Sequence, residues 1–161
     1  MVLIMKFYVD GACRGNGQPG AIGAAAAARR YNDGSVSYRT RQLDDDDYNA
    51  TSQRAEILAI ILALEWAMDE YENTYNSPYI DITIHSDSRY AVNCMTKWIP
   101  KWLENNWTTS AGGRVANRDL LEEAVEAQSR VLNVGDVEYE WVPRNKVYDA
   151  DEKCNDVLDS M

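Results

Sequence analysis

Four carboxylates, Asp10, Glu56, Asp87 and Asp151, stand at the ends of segments that read as strands or near the starts of segments that read as helices. Acids from separate segments can converge at such places, and a carboxylate cluster holds hard divalent cations through oxygen. Two magnesium ions about 3.5–4 Å apart would activate a water and stabilise the leaving oxygen of a phosphodiester, with manganese as a substitute. Other hydrolytic chemistry finds no support. The sole histidine, His85, alternates within a strand and reads as structural, and no serine–histidine–acid or cysteine–histidine arrangement can be assembled. Position alone leaves the cluster open, because acids at strand ends and first helical turns also serve solubility and the helix dipole.

The elements that must position these acids follow from the apolar pattern. Residues 3–9 are rich in strand formers and end at Asp10-Gly11, after which Gly11 to Gly20 carries four glycines and Pro19 and predicts a turn. Residues 21–30 and 35–41 predict two more strands around Asn32-Asp33-Gly34. The alanine run 24–28 could pass for helix by propensity, but its place between two turns predicts a strand with closely packed neighbours. From Thr51 the period changes: Ala55, Leu58, Ala59, Leu62, Ala63 and Trp66 mark an amphipathic helix to about Tyr71, capped by Thr51 or Ser52. A fourth strand at 79–85 leads to Ser86-Asp87-Ser88 and a helix from about Arg89. A tryptophan-rich segment 98–107, a loop at Gly112-Gly113, a helix 117–132, a fifth strand 137–142 and a last helix from about Asp149 complete the chain. The order β-β-β-α-β-α-α-β-α predicts an α/β fold, a five-stranded mixed sheet with helices on both faces.

At 161 residues the chain fits one domain with no linker or repeat. Three cysteines without metal-type spacing predict a reducing, intracellular and cytoplasmic setting. No run approaches the ~18 apolar residues of a membrane helix, and a monomer is the default. The net charge of −10 argues against a nucleic-acid partner, since phosphate binding favours a basic face. Part of that charge is segregated in Asp44 to Asp47, which reads as a solvated loop.

Four strings then change the weight of the carboxylates. Tyr8-Val9-Asp10-Gly11-Ala12-Cys13 with Asn16-Gly17, Thr51-Ser52-Gln53-Arg54-Ala55-Glu56, His85-Ser86-Asp87-Ser88, and Trp141-Val142-Pro143 occur in order on the expected elements. Over nearly its whole length the chain resembles ribonuclease H of type 1. That resemblance implies a ribonuclease H-like fold, an RNA–DNA hybrid as partner, and cleavage of the RNA strand. It places metal ligands at Asp10, Glu56 and Asp87. It places Asn16, Ser52 and Gln53 against the RNA strand, Thr51 and Asn117 at a DNA phosphate, and Trp98 and Trp102 in the groove that receives DNA. Core packing is the alternative reading of those tryptophans, but Trp98, Trp102 and Trp107 sit in a segment otherwise full of Lys, Asn and Thr, which favours the groove.

The departures from the family pattern bear on function. The loop Pro143 to Asp149 has no histidine, whereas many relatives carry one there that assists product departure. A short-loop alignment puts the fourth carboxylate, a metal ligand, at Asp151 after Ala150, and a longer-loop alignment puts Asn155 there; the first is preferred because it agrees with the missing histidine. The first register implies a working nuclease. The second implies a catalytically impaired hybrid-binding protein. A junction resolvase or integrase on the same fold, or an acidic interaction domain, would leave the Thr51–Glu56 string and the tryptophan segment unexplained. The resemblance carries no separate hybrid-binding module, and residues 103–110 lack the basic side chains some relatives present there.

Overall fold

The computed structural model describes residues 1–44 and 49–161. Five strands, β1 (Val2–Arg14), β2 (Ile22–Arg30), β3 (Val36–Gln42), β4 (Tyr79–Ser86) and β5 (Gly135–Trp141), form one sheet in the order β3-β2-β1-β4-β5. The β1–β2 and β2–β3 pairs are antiparallel, while β1–β4 and β4–β5 are parallel. The helices are α1 (Ser52–Asn73), α2 (Arg89–Asn93), α3 (Ile99–Glu104), α4 (Arg118–Leu132) and α5 (Tyr148–Asp159), with a π turn at Cys94–Trp98 joining α2 to α3. The expected helix from Arg89 is therefore one helix carrying a π insertion, and the predicted element order holds. Of the acidic run, Asp44 is exposed, and the rest of the expected loop lies outside the described residues.

The helices divide between the two faces. α1 packs on β1 and β2 with α4 against it, and α5 covers the other face over β1, β2 and β3. The main core lies under α1, where Phe7, Ile57, Ile60, Ile61, Ile82 and Ile84 are buried. Ala26, Ala150 and Cys154 form a smaller cluster beneath α5. Alternation along β2 explains the alanine run: Ala25 and Ala27 face α1, Ala26 faces α5, and all of Ala24 to Ala28 are 0% exposed. It is a strand, as its flanking turns predict, paired on both edges, and its residues are small because bulk on either side would push a helix away. Among the described residues no helix is long and apolar enough to cross a membrane.

One boundary differs from expectation. β1 does not stop at Asp10 but continues to Arg14, paired with β2 through Arg14 opposite Ile22, so the turn is shorter than Gly11 to Gly20. Parallel pairing with β4 does end there, at Val9 opposite Ser86. Asp10 thus sits where β1 outruns its parallel neighbour, and Asp87 lies just past the end of that neighbour.

Candidate active site

Sites in open α/β sheets form beyond the carboxyl ends of parallel strands, and here three carboxylates meet at that edge. Asp10 is 6% exposed on the α5 side of β1. Its carboxyl is pushed up to about 9, first by burial, then by Asp87, then by a hydrogen bond with Asp151 and the charge of that group. Glu56 joins from α1, raised by burial and by Asp87, while a hydrogen bond from Ser88 opposes the rise. The Ser88 hydroxyl donates to Glu56 Oε2 at 2.8 Å and accepts from the Ala91 amide at 3.0 Å, so the residue that caps α2 also orients Glu56. All four predicted acids are brought together.

Glycine makes that convergence possible. A Cβ on Gly11 would lie 2.3 Å from the carbonyl carbon of Ala55 and 2.4 Å from the Glu56 amide nitrogen. The first turn of α1 therefore rests directly on the β1 backbone, one residue past Asp10. The Cys154 thiol donates to the Asp10 carbonyl and seats α5 on the opposite face.

The donor set suits a hard cation. Four carboxylates face one region, no salt bridge neutralises any of them among the described residues, and their mutual repulsion is what a divalent ion would relieve. No three of the described His, Cys, Asp and Glu side chains close into a ready-made cage. Asn155, the alternative fourth position, lies one turn beyond Asp151 and donates to its carbonyl oxygen at 3.1 Å. It supports Asp151 and does not take its place beside Asp10.

The remaining predicted residues fall into two groups. Around the start of α1, Asn16 Oδ1 accepts from the Ser52 amide at 2.8 Å, Thr51 Oγ1 accepts from the Arg54 amide at 3.1 Å, and Gln53 is exposed. Farther out, Tyr90, Trp98, Trp102 and Trp107 pack in series with tilted rings, neighbouring centroids lying 5.9–6.1 Å apart. Half-buried, Trp98 and Trp102 pack on the core and also line a groove of ≈ 520 Å³ with Tyr90, Lys101 and Val115. Asn117 holds a left-handed backbone at φ 62° and donates to the Tyr90 hydroxyl at 2.9 Å.

Arg54 links the two groups, a role its place in the string did not reveal. Its guanidinium, 3% exposed, reaches Asp119 at 3.0 and 2.6 Å and Asn117 Oδ1 at 3.3 Å. The hydrogen bonds and charge of Arg54 hold the Asp119 carboxyl below its ordinary range. Ser88 and Cys154 also escaped the sequence reading. Ser88 had a local signal beside Asp87, while Cys154 had none.

The RNase H family model matches residues 4–157. The chain belongs to the ribonuclease H family. A ribonuclease H of Jannaschia sp. (strain CCS1) is 36% identical over 150 residues, covering 93% of this chain and 85% of that one. Among solved structures, RNase H1 from the halophilic archaeon Halobacterium salinarum NRC-1 superposes with a TM-score of 0.66 at 28% identity, covering 98% and 99% of the two chains. LC11-RNase H1, solved in complex with an RNA/DNA hybrid, has a TM-score of 0.68 at 17% identity and 97% coverage of both, a likeness of fold alone. Within the ribonuclease H fold, the five-stranded mixed sheet and its two helical layers have their expected places.

Proposed function

We propose that this chain is an endonuclease that hydrolyses the RNA strand of RNA–DNA hybrids, leaving 5′-phosphate and 3′-hydroxyl ends. The observation that carries the reading is the convergence of Asp10, Asp87 and Asp151 from two strands and a helix, with Glu56 beside them. Asp10 would be shared between two Mg²⁺ sites, with Glu56 and Asp87 completing one and Asp151 the other; Mn²⁺ would fit the same oxygens. When bound, the cations activate water and neutralise charge on the scissile phosphate, work for which the chain offers no histidine base.

The protein's own part is orientation. Ser88 aims Glu56, and Gly11 lets α1 approach Asp10. Asn16, Ser52 and Gln53 offer donors and acceptors to 2′-hydroxyls, which distinguish RNA from DNA. Thr51 caps a helix with no acid in its first turn, which suits a phosphate there, and Asn117 stands across the Arg54 link. Trp98 and Trp102 would receive the DNA strand. This reading takes residues 1–161 as one working domain and a monomer. Three free cysteines support a reducing, cytoplasmic setting.

The test is a labelled hybrid incubated with Mg²⁺, Mn²⁺ or chelator. Metal-dependent cutting of the RNA strand alone is expected. Tight binding without cutting in either metal would replace this reading with that of a hybrid-holding protein.

A further inference from the structure

Asp151 reaches Asp10 only if the first turn of α5 is held at a fixed height above the sheet. That turn has no side-chain cap: Val147, at its N-terminal boundary, makes no capping hydrogen bond. A side chain from the sheet ties it down instead. Arg30, the last residue of β2, donates from Nη2 to the Lys146 carbonyl at 2.6 Å and to Asp149 Oδ1 at 3.0 Å. Lys146 ends the 3₁₀ turn before α5 and Asp149 lies in its first turn, so one guanidinium grips both sides of the helix start. The same Asp149 oxygen accepts from the Ala150 amide at 2.9 Å, next to Asp151. Asp149 is 5% exposed, and a buried acid needs a partner; Arg30 is that partner.

The guanidinium is itself fixed from below. Arg30 Cζ lies 3.6 Å from the centroid of the Tyr8 ring. Tyr8 stacks on His85 at 4.1 Å with the rings 5° from parallel. His85 Nδ1 is hydrogen bonded with the Phe7 carbonyl at 3.0 Å. Tyr8 and His85 are opposite one another in the β1–β4 register, and Tyr8 shares a strand face with Asp10. The stack His85–Tyr8–Arg30–Asp149 therefore runs from the strand that leads to Asp87 up to the helix that bears Asp151. None of its members belongs to the four carboxylates or to the hybrid-facing residues.

We infer that Arg30 is a positioning residue for the fourth carboxylate, acting through Asp149 and supported by the Tyr8–His85 stack. The inference rests on Asp151 being a metal ligand, as proposed above. Arginine suits the position because Nη2 serves both acceptors while the guanidinium carbon lies over the Tyr8 ring, which an ammonium group does not do equally well. Removing it frees the start of α5 to shift, and displacements near 1 Å are enough to slow chemistry about a hundredfold.

The experiment compares Arg30→Met, Arg30→Lys and Tyr8→Leu with the unmodified protein by two readouts. One is kcat and KM on an RNA–DNA hybrid at saturating Mg²⁺. The other is Mn²⁺ binding to the hybrid-free protein, followed by the electron paramagnetic resonance of unbound Mn²⁺. For Arg30→Met the expected result is a fall in kcat of roughly ten- to a hundredfold, with hybrid KM within about twofold, and weaker Mn²⁺ binding. Arg30→Lys should restore part of both losses. A folded Arg30→Met protein with reduced Tm but unchanged kcat and Mn²⁺ affinity would overturn the inference. If Arg30→Met does not fold, Tyr8→Leu decides by the same criteria. An unmodified protein that binds Mn²⁺ but leaves the hybrid intact defeats the ribonuclease reading alone, and the Mn²⁺ affinities of the variants still decide the role of Arg30. Failure to bind Mn²⁺ at all defeats both.

Discussion

The thiol of Cys154 donates a hydrogen bond to the main-chain carbonyl of Asp10 at 3.2 Å, so the helix bearing Asp151 is fastened to the strand residue that Asp151 faces. Cys154 is 0% exposed and also approaches the Ala24 carbonyl at 3.7 Å. Its setting among Asp10, Asp151 and Asp87, with burial as the larger cause, pushes the thiol well above its ordinary pKa. It is a neutral packing group here, not a nucleophile.

Replacing Cys154 by leucine should therefore act through volume. Overpacking a closed site costs roughly 1–3 kcal/mol, and the helix can yield only away from the sheet, taking Asp151 from Asp10. Denaturant unfolding and kcat should fall together. Cys154→Ser, which keeps size and donor, should fall less in both; equal losses in the two variants would show that volume is not the cause.

Asp10 makes the metal-free protein sensitive to pH. Its carboxyl titrates near 9 in the folded protein against 3.8 for the ordinary group, so between those values the folded state holds a proton that the unfolded state has released. The corresponding stability is fully present below the ordinary pKa and is lost as pH rises towards 9. In chelator, Tm should decline from about pH 5 to about pH 9, and Mg²⁺ should flatten the decline because cations take the deprotonated form. Asp10→Asn should abolish cleavage, raise Tm in chelator at the alkaline end and remove most of the slope. A slope retained in Asp10→Asn would assign the effect to other groups.

Gly11 is predicted to tolerate no side chain. Alanine there would collide with backbone atoms of α1 at 2.3–2.5 Å, which rotamer changes cannot relieve. Gly11→Ala should cost about 1–3 kcal/mol in urea unfolding and reduce kcat by shifting Glu56. Wild-type values of both would mean that α1 can slide without consequence for Glu56.

Binding of the hybrid should be weak and steeply dependent on salt. The net charge is −10. Of the basic side chains near the tryptophan groove, Arg118 is already paired with Glu122 at 2.5 Å. Raising salt from about 50 to about 200 mM should increase KM markedly while kcat holds, because phosphate contacts compete with counterions. A flat profile over that range would require affinity to come mainly from uncharged contacts.

What the sequence made legible was the local chemistry. Asp10, Glu56 and Asp87 stand in short strings whose neighbours define them, and the change of period at Thr51 located the start of α1 within a residue. The end of β1 was not legible. Gly11 ordinarily marks a turn, and only the arrival of α1 some forty residues later makes it a strand position. Arg30 and Asp149 are 119 residues apart, so nothing near either one announces their pairing. Which of Asp151 and Asn155 meets Asp10 likewise needed a third dimension, because the two lie one turn apart on one helix.

The five buried alanines of β2 give this sheet a minimum thickness on both sides at once. Ala25 and Ala27 set the spacing of the layer that carries Glu56, while Ala26 sets the spacing of the layer that carries Asp151. Asp10 belongs to the sheet itself, and Asp87 directly follows the end of β4. The strand is a shim with two faces: an added methylene on Ala25 or Ala27 would press on the layer that carries Glu56, and one on Ala26 would press on the layer that carries Asp151. The spacing of the carboxylate cluster can thus drift, or be adjusted, from a strand that bears none of the four acids.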